Sequence, residues 1–172
     1  MQFVACMHDA HAPAILDILN EAIVNSTALY DYKPRAPDAM VGWFKAKAAG
    51  RFPVIGAVDG RELLGFASYG TFRAWPAYKY TVEHSVYVHR DHRGKGIGTA
   101  LMKRLIDAAR EQDYHVMVGG IDAANAMSIA MHEKLGFSHA GTVRHAGYKF
   151  GRWLDLAFYQ LLLETPARPM EG

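Results

Sequence analysis

The sequence predicts an α/β protein in which a mixed β-sheet is covered by helices on both faces. Segments rich in β-branched and aromatic residues recur along the chain, as in "YTVEHSVYVH" and "WLDLAFYQLLL", and such residues favour strands. Other segments place apolar residues at helical spacing, as residues 15–23 do. Two helices come early in the chain and two alternate with later strands, an order that is typical of a mixed sheet.

The first part of the chain is predicted to hold two helices and three strands. "QFVAC" is the first strand, and Asp9 is expected to cap the helix that follows it. A second helix is expected over 38–49, with Gly50 as the glycine that ends it. "FPVIGAV" and "ELLGFASYGTF" follow as strands, and Asp59-Gly60 between them is a hairpin signal.

The second part of the chain alternates strands with helices. "YTVEHSVYVH" is a strand that leads into a glycine-rich loop and a helix of about four turns. "HVMVGGI" is a buried strand, and "NAMSIAMHEKL" is a helix that stops at Gly136. "FSHAGTVRHAGYKF" and "WLDLAFYQLLL" follow as the last two strands. We therefore expect one domain over residues 1–165 and a flexible tail over 166–172.

Composition indicates an ordinary globular protein. The 172 residues are 51% hydrophobic and 21% charged, and the formal net charge is only +2, so we expect no nucleic-acid partner. Cys6 is the only cysteine, which excludes an intrachain disulfide and a multi-cysteine zinc site. The first residues lack a signal-peptide pattern, and no run of about 18 apolar residues occurs. We therefore expect a cytoplasmic protein with no membrane partner.

Three glycines crowd the entrance of the third predicted helix, in "RGKGIG" at residues 93–98. One interpretation is a tight turn without a ligand. A second is a dinucleotide-binding loop, although the third glycine falls one position early and the motif comes late in the chain. A third is a cradle for the pyrophosphate of coenzyme A, in which main-chain N–H groups and the helix dipole bind the phosphates. Arg90, Arg93 and Lys95 would then meet the outer phosphates.

The glycine segment and several later ones resemble a known family. "RGKGIG" resembles the Arg/Gln-x-x-Gly-x-Gly/Ala motif of the GCN5-related N-acetyltransferase superfamily, and "NAMSIAMHEKLGF" resembles its second coenzyme segment. "TVEHSVYV", "MHEKLGF" and "AGYKFGRWLDLAFYQL" together resemble the phosphinothricin and methionine sulfoximine acetyltransferase group. The resemblance implies a mixed, mostly antiparallel central sheet of about seven strands flanked by about four helices. It also implies acetyl-CoA as co-substrate and no metal.

The resemblance implies which residues bind the coenzyme. The main chain of the strand before the glycine loop would pair with the pantetheine arm, at Val86, Tyr87 and Val88. Asn125 and Ser128 would contact the coenzyme from the start of the fourth helix, where Asn125 also suits the N-cap position. The pyrophosphate would be held by the residues of the loop and the first helical turn, which are Arg93, Gly94, Lys95, Gly96, Ile97, Gly98 and Thr99.

The same resemblance implies an acceptor site for a small amino acid analogue. Arg73 is the best available partner for a carboxylate or phosphinate-like group, through two parallel hydrogen bonds. The alternative is a solvated loop arginine. Trp75 would either wall the pocket or pack the loop down. The residues implied for this site are Arg73, Ala74, Trp75, Pro76, Glu83, His84 and Ser85.

Glu83 is the predicted general base. It lies in an otherwise apolar and aromatic strand, where burial should raise the pKa of a carboxyl group. The alternative is an edge-strand glutamate paired with a lysine. Alternation puts Glu83, Ser85 and Tyr87 on one face of this strand. The main-chain N–H of Val88 is the predicted donor to the oxyanion.

His132 is the predicted general acid. It stands seven residues after Asn125, where many members of the superfamily place a tyrosine that protonates the leaving thiolate. Histidine can donate a proton near neutral pH, but the alternative is that it fills space between helix and sheet. Tyr87 is a weaker alternative for the acid. His89 and His92 lack a third ligand at useful spacing, so we expect no metal site.

The predicted function is transfer of acetyl from acetyl-CoA to the α-amino group of phosphinothricin, methionine sulfoximine or methionine sulfone. Cys6 lies far in sequence from every motif, so direct attack in a ternary complex is expected rather than an acetyl-cysteine intermediate. The alternatives are the same chemistry on another amine, such as a protein N-terminus or a polyamine, and a non-catalytic acyl-CoA sensor. A homodimer is expected, with Trp153, Phe158 and Tyr159 as candidate interface residues.

Overall fold

The structure is a computed structural model that describes residues 1–171. Gly172, the last residue of the predicted flexible tail, lies outside the described residues. The chain divides into two compact units. The first unit comprises Met1–Gly70 and Ser85–Leu105, and the second comprises Thr71–His84 and the chain from Ile106 onward. The expectation of one domain that ends at residue 165 stays a prediction.

Seven strands and four helices form the described part of the chain, which confirms the predicted fold class. The strands are β1 (Gln2–Ala5), β2 (Val54–Asp59), β3 (Glu62–Thr71), β4 (Thr81–Val88), β5 (Val116–Asp122), β6 (Ser138–Lys149) and β7 (Arg152–Leu162), and the helices are α1 (His8–Asn25), α2 (Ala39–Ala49), α3 (Ile97–Glu111) and α4 (Ala126–Lys134). The strand order is β1-β2-β3-β4-β5-β7-β6. Strands β4 and β5 pair in parallel, whereas the β1–β2, β2–β3, β5–β7 and β6–β7 pairs are antiparallel. No helix within residues 1–171 combines the length and apolar character needed to cross a membrane.

The start of α1 differs from the prediction, because Asp9 is not its N-cap. The helix begins at His8, and Met7 occupies the N-cap position without a side-chain cap. The Met7 N–H donates to Nδ1 of His11 at 3.1 Å, and the helix begins two residues earlier than a cap at Asp9 would place it. Asp9 lies in the first turn, where a carboxylate interacts favourably with the helix dipole. The predicted apolar face of α1 is buried at Ile15, Leu16, Ile18, Leu19, Ala22 and Ile23.

The end of α2 is also built differently from the prediction. Gly50 follows the helix but has φ −81°, so it is not in the left-handed region. Arg51 takes that conformation, with φ 56°. A Cβ at Gly50 would lie 2.1 Å from the ring of Phe52. Glycine is therefore needed at position 50 to make space for an aromatic ring, and not for its backbone freedom.

The β2–β3 hairpin confirms the Asp59-Gly60 signal. The two strands also contain a bulge close to the turn. Gly60 has φ 57°, and the register shifts between Ala57 and Val58. Farther along β3, a Cβ at Gly65 would lie 2.7 Å from the carbonyl oxygen of Tyr87. In the first unit, β3 and the end of β4 therefore approach so closely that only glycine fits at position 65.

The second unit holds the strands β5, β7 and β6 beside the first half of β4. Strand β4 pairs with β5 over only three positions, from Thr81 opposite Val116 to Glu83 opposite Val118. Strand β5 then pairs with β7 over seven positions, and β6 and β7 form a long antiparallel hairpin. Helix α4 ends as predicted, because Gly136 has φ 92° just beyond it.

The end of the chain contacts the segment that precedes β4. The hydroxyl of Tyr80 accepts a hydrogen bond from the Met170 N–H at 3.0 Å and donates to the Met170 carbonyl oxygen at 3.2 Å. One ring nitrogen of His115 lies 2.8 Å from the carbonyl oxygen of Thr165. These contacts give part of the predicted tail defined partners within the second unit.

Candidate active site

The glycine loop prepares the N-terminal end of α3. Gly94 and Gly96 have φ 77° and 78°, and a Cβ at either position would meet nothing within 4 Å. Glycine is therefore favoured here by its backbone conformation rather than by space. Gly98 differs from them, since α3 begins at Ile97 and Gly98 belongs to its first turn. The first N–H groups of a helix have no intrahelical partner, so this end of α3 suits an anion.

The predicted apolar stripe holds α3 in place. Its four members are all buried: Ile97, Leu101, Leu105 and Ala109. Their four-residue spacing keeps one face of the helix against apolar neighbours. The orientation of the N-terminal end of α3 is therefore set by the packing of this stripe.

The basic side chains around the loop have partners within the protein. The guanidinium group of Arg93 is ion-paired with Glu21, and its Nε–H donates to the Val88 carbonyl oxygen at 3.2 Å. Lys95 donates to the carbonyl oxygen of Asp91 at 3.0 Å. Arg90 is more open, with a side chain that is 64% exposed. Of the three cations predicted to meet phosphates, Arg90 is thus the least engaged.

The histidines beside the loop serve in local contacts. One ring nitrogen of His92 lies 2.8 Å from a carboxylate oxygen of Glu62, and Nδ1 of His89 accepts from the Asp91 N–H at 3.3 Å. Within residues 1–171, no group of three or more His, Cys, Asp or Glu side chains is arranged to hold a metal ion.

The end of β4 is fixed by two contacts with β3 in the first unit. The His89 N–H donates to the Leu64 carbonyl oxygen at 2.8 Å. The Tyr87 ring packs on Phe66, with ring centroids 5.5 Å apart. The side chain of Tyr87 is therefore used in packing, and the pairing of the main chain of residues 86–88 with a ligand stays a prediction.

Glu83 is partly buried in β4, on the opposite face from its neighbour His84. Burial raises the pKa of the Glu83 carboxyl group above its ordinary value of 4.5, and the positive charge of Arg73 partly offsets that rise. A Cβ at Gly120 would lie 3.4 Å from Oε1 of Glu83, so the missing side chain at 120 leaves space beside the carboxylate. Among the described residues, no cation lies within 4.0 Å of Glu83, which disfavours the lysine-paired alternative.

The segment that carries Arg73 is exposed. The guanidinium group of Arg73 lies over the ring of Phe72, 5.4 Å from its centroid. Phe72 in turn meets Tyr78 edge to face at 5.8 Å. Trp75 is 67% exposed, and Ala74 and Pro76 are exposed beside it. These residues are therefore accessible to a ligand, whereas the aromatic contacts hold the base of the segment.

His84 and His132 form a buried pair in the second unit. Their rings are stacked with centroids 5.0 Å apart, and their Nε2 atoms are 3.1 Å apart. A Cβ at Gly119 would lie 2.6 Å from Nε2 of His84, so glycine at that position makes room for the pair. Of the predicted acceptor residues, His84 is thus the one whose side chain is enclosed.

The proton positions of this pair follow from its partners. Nδ1 of His132 lies 2.7 Å from the Ser128 carbonyl oxygen, which can only accept, so Nδ1 carries a proton. Burial lowers the pKa of both imidazoles, and the mutual charge of the pair lowers that of His84 further. In the neutral pair, Nε2–H of His84 donates to Nε2 of His132. The role of His132 as an acid stays a prediction, and it would require an added proton on this pair.

Asn125 caps α4, which confirms one of its two predicted roles. Its Oδ1 accepts from the Ser128 N–H at 3.1 Å. The cap uses only the side-chain oxygen, so Nδ2 remains a possible donor to a ligand. The coenzyme contacts predicted for Asn125 and Ser128 stay predictions.

Two features that the structure brings to the site residues were not predicted from the sequence. Glu21 on α1 is the ion-pair partner of Arg93, 72 positions away in the chain. Gly119 makes room for the two histidines. Neither the spacing nor the residue type marks Glu21, because a glutamate on a surface helix is common. "GG" inside an apolar strand was the available signal for Gly119, since glycine in a strand often marks a close approach.

Comparison with known proteins gives concordant matches. Residues 14–137 match the model of the Acetyltransferase (GNAT) family. An L-methionine sulfoximine/L-methionine sulfone acetyltransferase of Pseudomonas paraeruginosa is 47% identical over 156 residues, which cover 90% of this chain and 91% of that protein.

Solved structures agree with that match. An acetyltransferase from Acinetobacter baylyi is 60% identical with a TM-score of 0.98, and the match covers 99% of this chain and 97% of the other. A phosphinothricin acetyltransferase from Sinorhizobium meliloti, solved in complex with acetyl-CoA, is 34% identical with a TM-score of 0.93 and coverage of 99% and 94%. With its glycine loop, its fold and these matches in agreement, the chain belongs to the acetyltransferase (GNAT) family.

Proposed function

We propose that this protein transfers acetyl from acetyl-CoA to the α-amino group of a small amino acid analogue, with methionine sulfoximine, methionine sulfone and phosphinothricin as the leading acceptors. The observation that carries the proposal is the carboxylate of Glu83, which is partly buried and has a raised pKa under the opposing influence of Arg73. The likeness to a methionine sulfoximine/sulfone acetyltransferase over 90% of the chain supports the choice of acceptor.

The coenzyme would be held mainly by main-chain groups. Helix α3 begins directly after two glycines in the left-handed conformation, and its free N–H groups suit a pyrophosphate. The main chain of residues 86–88 would pair with the pantetheine arm as an added strand does. Arg90 is the side chain best placed to meet an outer phosphate, because it is 64% exposed while Arg93 and Lys95 have closer partners within the protein.

The acceptor would be oriented by Arg73. A guanidinium group binds a carboxylate or phosphinate through two parallel hydrogen bonds, and the Arg73 side chain lies in an exposed segment beside Trp75. A polyamine acceptor would instead favour an acidic surface, whereas the segment 73–80 carries Arg73 and Lys79 and no acidic residue.

The chemistry would proceed in one complex. Glu83 takes a proton from the substrate ammonium, and the amine nitrogen then attacks the thioester carbonyl carbon. The C–N bond forms and the oxyanion accepts a hydrogen bond from the Val88 N–H. The C–S bond then breaks, the nitrogen loses its second proton to solvent as the amide forms, and the thiolate leaves and is protonated. His132 is the proposed proton source for that last step.

Direct transfer is favoured over an acetyl-cysteine route by the state of Cys6. This thiol is buried, and burial raises its pKa to about 11. A thiol with such a pKa holds almost no thiolate at neutral pH and is a poor nucleophile. We also propose that the protein acts in the cytoplasm, where acetyl-CoA is supplied.

The test is thiol release from acetyl-CoA with a panel of amines, repeated with Glu83→Gln. We expect release with methionine sulfoximine that falls at least about 100-fold in the variant at neutral pH. Glu111→Gln, at the exposed end of α3, is the matched control and should keep its activity. Release only with a polyamine or a peptide N-terminus would replace the acceptor, and acetyl-CoA binding without release from any amine would indicate a sensor.

We propose that the protein is a homodimer through an aromatic patch on the β6–β7 hairpin. Tyr148, Phe150 and Trp153 are 48%, 57% and 58% exposed, and the rings of Tyr148 and Trp153 lie 5.0 Å apart. Exposed aromatic clusters are typical of interfaces. Tyr159, another candidate, is buried against His139 and belongs to the interior.

Light scattering after gel filtration tests the dimer. We expect twice the chain mass for the wild type and a shift to monomer for Trp153→Ser. Tyr32→Ser, which changes another residue with high exposure at 72%, should remain dimeric. A monomeric wild type, or equal behaviour of the two variants, would contradict the proposed patch.

A further inference from the structure

The side chain of Arg93 faces helix α1 and not the glycine loop to which it belongs. Its guanidinium group is ion-paired with Glu21 of α1, and its Nε–H donates to the carbonyl oxygen of Val88 at 3.2 Å. A single side chain thus connects three segments of the first unit: α1, the end of β4 and the start of the glycine loop.

Glu21 is held for this contact. Its side chain is only 17% exposed, and Nδ2 of Asn25, one turn later in α1, lies 3.5 Å from its Oε1. The two carboxylate oxygens therefore face different donors, Asn25 on one and Arg93 on the other. A carboxylate enclosed in this way fixes the guanidinium group more firmly than an exposed ion pair does.

The other end of the connection is equally restricted. The peptide that joins Val88 to His89 accepts from Arg93 through its oxygen and donates to Leu64 through its N–H, at 3.2 Å and 2.8 Å. Glycine at 65 lets β3 approach the preceding carbonyl. The hydrogen bond from Arg93 therefore adds to the contacts with β3 in fixing the peptide at which β4 ends and the loop begins.

We propose that Glu21 is a positioning residue for acetyl-CoA binding, which acts through Arg93 to fix the end of β4 and the entrance of the glycine loop. The inference rests on the proposed function, since it assumes that these main-chain groups bind the coenzyme. Ordering the loop before binding saves the free energy that a mobile loop would lose on binding.

The sign of the effect separates this proposal from simple electrostatics. Acetyl-CoA is an anion, so removal of a nearby negative charge should by itself strengthen binding. Removal of the Glu21 charge should also strengthen acetyl-CoA binding if Arg93 has to leave Glu21 in order to bind a phosphate directly. Positioning predicts the opposite, because without the carboxylate Arg93 and the loop lose their fixed arrangement.

The decisive measurement is the dissociation constant of acetyl-CoA by calorimetry for Glu21→Gln and Asp17→Asn. Asp17 is exposed one turn earlier on α1 and lines the same cleft as Glu21, with His89 and Arg90. We expect Glu21→Gln to weaken binding about fivefold or more and Asp17→Asn to leave it unchanged or slightly stronger. Equal or tighter binding by Glu21→Gln would overturn the proposal.

A double-mutant cycle tests whether the effect passes through Arg93. Arg93→Gln should weaken binding at least as much as Glu21→Gln, and the double variant should bind no more weakly than Arg93→Gln alone. Additive losses would overturn the proposal. Arg93→Lys keeps the charge but cannot make both contacts, so it should bind like Arg93→Gln and it provides a second test if the latter folds poorly.

Acetyl-CoA binding by the wild type and by Glu21→Gln distinguishes an error in the positioning role from an error in the proposed function. If the wild type binds no acetyl-CoA, the function itself is wrong. If the wild type binds and Glu21→Gln binds equally well, only the positioning role is lost. Melting curves of each variant, measured without coenzyme, establish that the loss is not one of folding.

Discussion

Glu83 and His84 are neighbours in β4, yet their side chains meet opposite environments. Alternation along the strand places the carboxylate where Arg73 influences it and the imidazole in the interior beside His132. The sequence was sufficient to predict that burial raises the pKa of Glu83, because a lone carboxylate in an apolar strand is unusual. It was not sufficient for His84, whose partner is 48 positions away.

The pH dependence of kcat/KM should show how the charge of Arg73 affects the pKa of Glu83. Activity should fall on the acid side as Glu83 becomes protonated, at a pH above the ordinary 4.5 of a glutamate. Arg73→Gln removes the charge that opposes this rise, so the acid limb should move to higher pH, whereas Arg73→Lys should leave it nearly in place. An acid limb that moves to lower pH in Arg73→Gln would contradict the assignment.

The buried histidine pair should make the protein less stable in acid. The pKa of each imidazole is lower in the folded chain than the ordinary 6.5, so below that pH the unfolded chain binds more protons and the free energy of unfolding falls. Each such proton contributes up to about 1.4 kcal/mol per pH unit.

His84→Phe tests this linkage by urea unfolding between pH 7 and 5. The variant should lose part of the acid dependence of the free energy of unfolding. His145→Asn, at an exposed position with φ 54° that asparagine tolerates, should keep all of it. An unchanged slope in His84→Phe would show that the pair is protonated in the folded state.

At the level of whole elements, the contact of β3 with β4 depends on a missing side chain. Periodicity predicted both strands, and strand propensity does so reliably for β-branched and aromatic runs. It gave no sign that Gly65 lies against the main chain of β4, just as it gave none that Phe52 fills the space beside Gly50. Such contacts depend on distances between segments, and local pattern carries no information about them. The same limit applies to Asp9, which was wrongly predicted as a cap: the helix begins at His8, so Asp9 lies inside its first turn.

Gly65→Ala should destabilise the first unit and impair acetyl-CoA binding together. The new methyl group would lie 2.7 Å from the Tyr87 carbonyl oxygen and 3.1 Å from Cα of Val88, which should cost about 1–3 kcal/mol of unfolding free energy. Gly42→Ala in α2, where nothing lies within 4 Å, should instead stabilise by about 0.5–1 kcal/mol. Urea unfolding measures both, and a neutral Gly65→Ala would contradict the close approach.

For the molecule as a whole, the strands and helices were predictable and their arrangement was predictable only by resemblance. The seven strands and four helices follow from alternation, helical spacing and glycine signals. The order of strands in the sheet, with β7 between β5 and β6, depends on long-range pairing that a pattern within one segment does not encode. The contact between Tyr80 and Met170 is also long-range. The composition of the last residues alone predicts a frayed end and gives no sign of this contact.

Amide exchange at Met170 measures how firmly that end is held. The Met170 N–H donates to the Tyr80 hydroxyl at 3.0 Å, so Tyr80→Phe should speed its exchange to the rate of an open chain. Tyr32→Phe removes a hydroxyl elsewhere and should leave the Met170 rate unchanged. Fast exchange in the wild type would show that the tail is free in solution, as its composition alone suggests.

The enclosed thiol of Cys6 makes this protein convenient to study. The only sulfhydryl in the chain lies in the interior and resists ionisation, so colorimetric disulfide reagents should see liberated coenzyme alone and give a continuous assay without background. A cysteine engineered at any open surface position would then be the single point where a maleimide dye attaches, which allows distances and motions to be followed without first removing a native thiol.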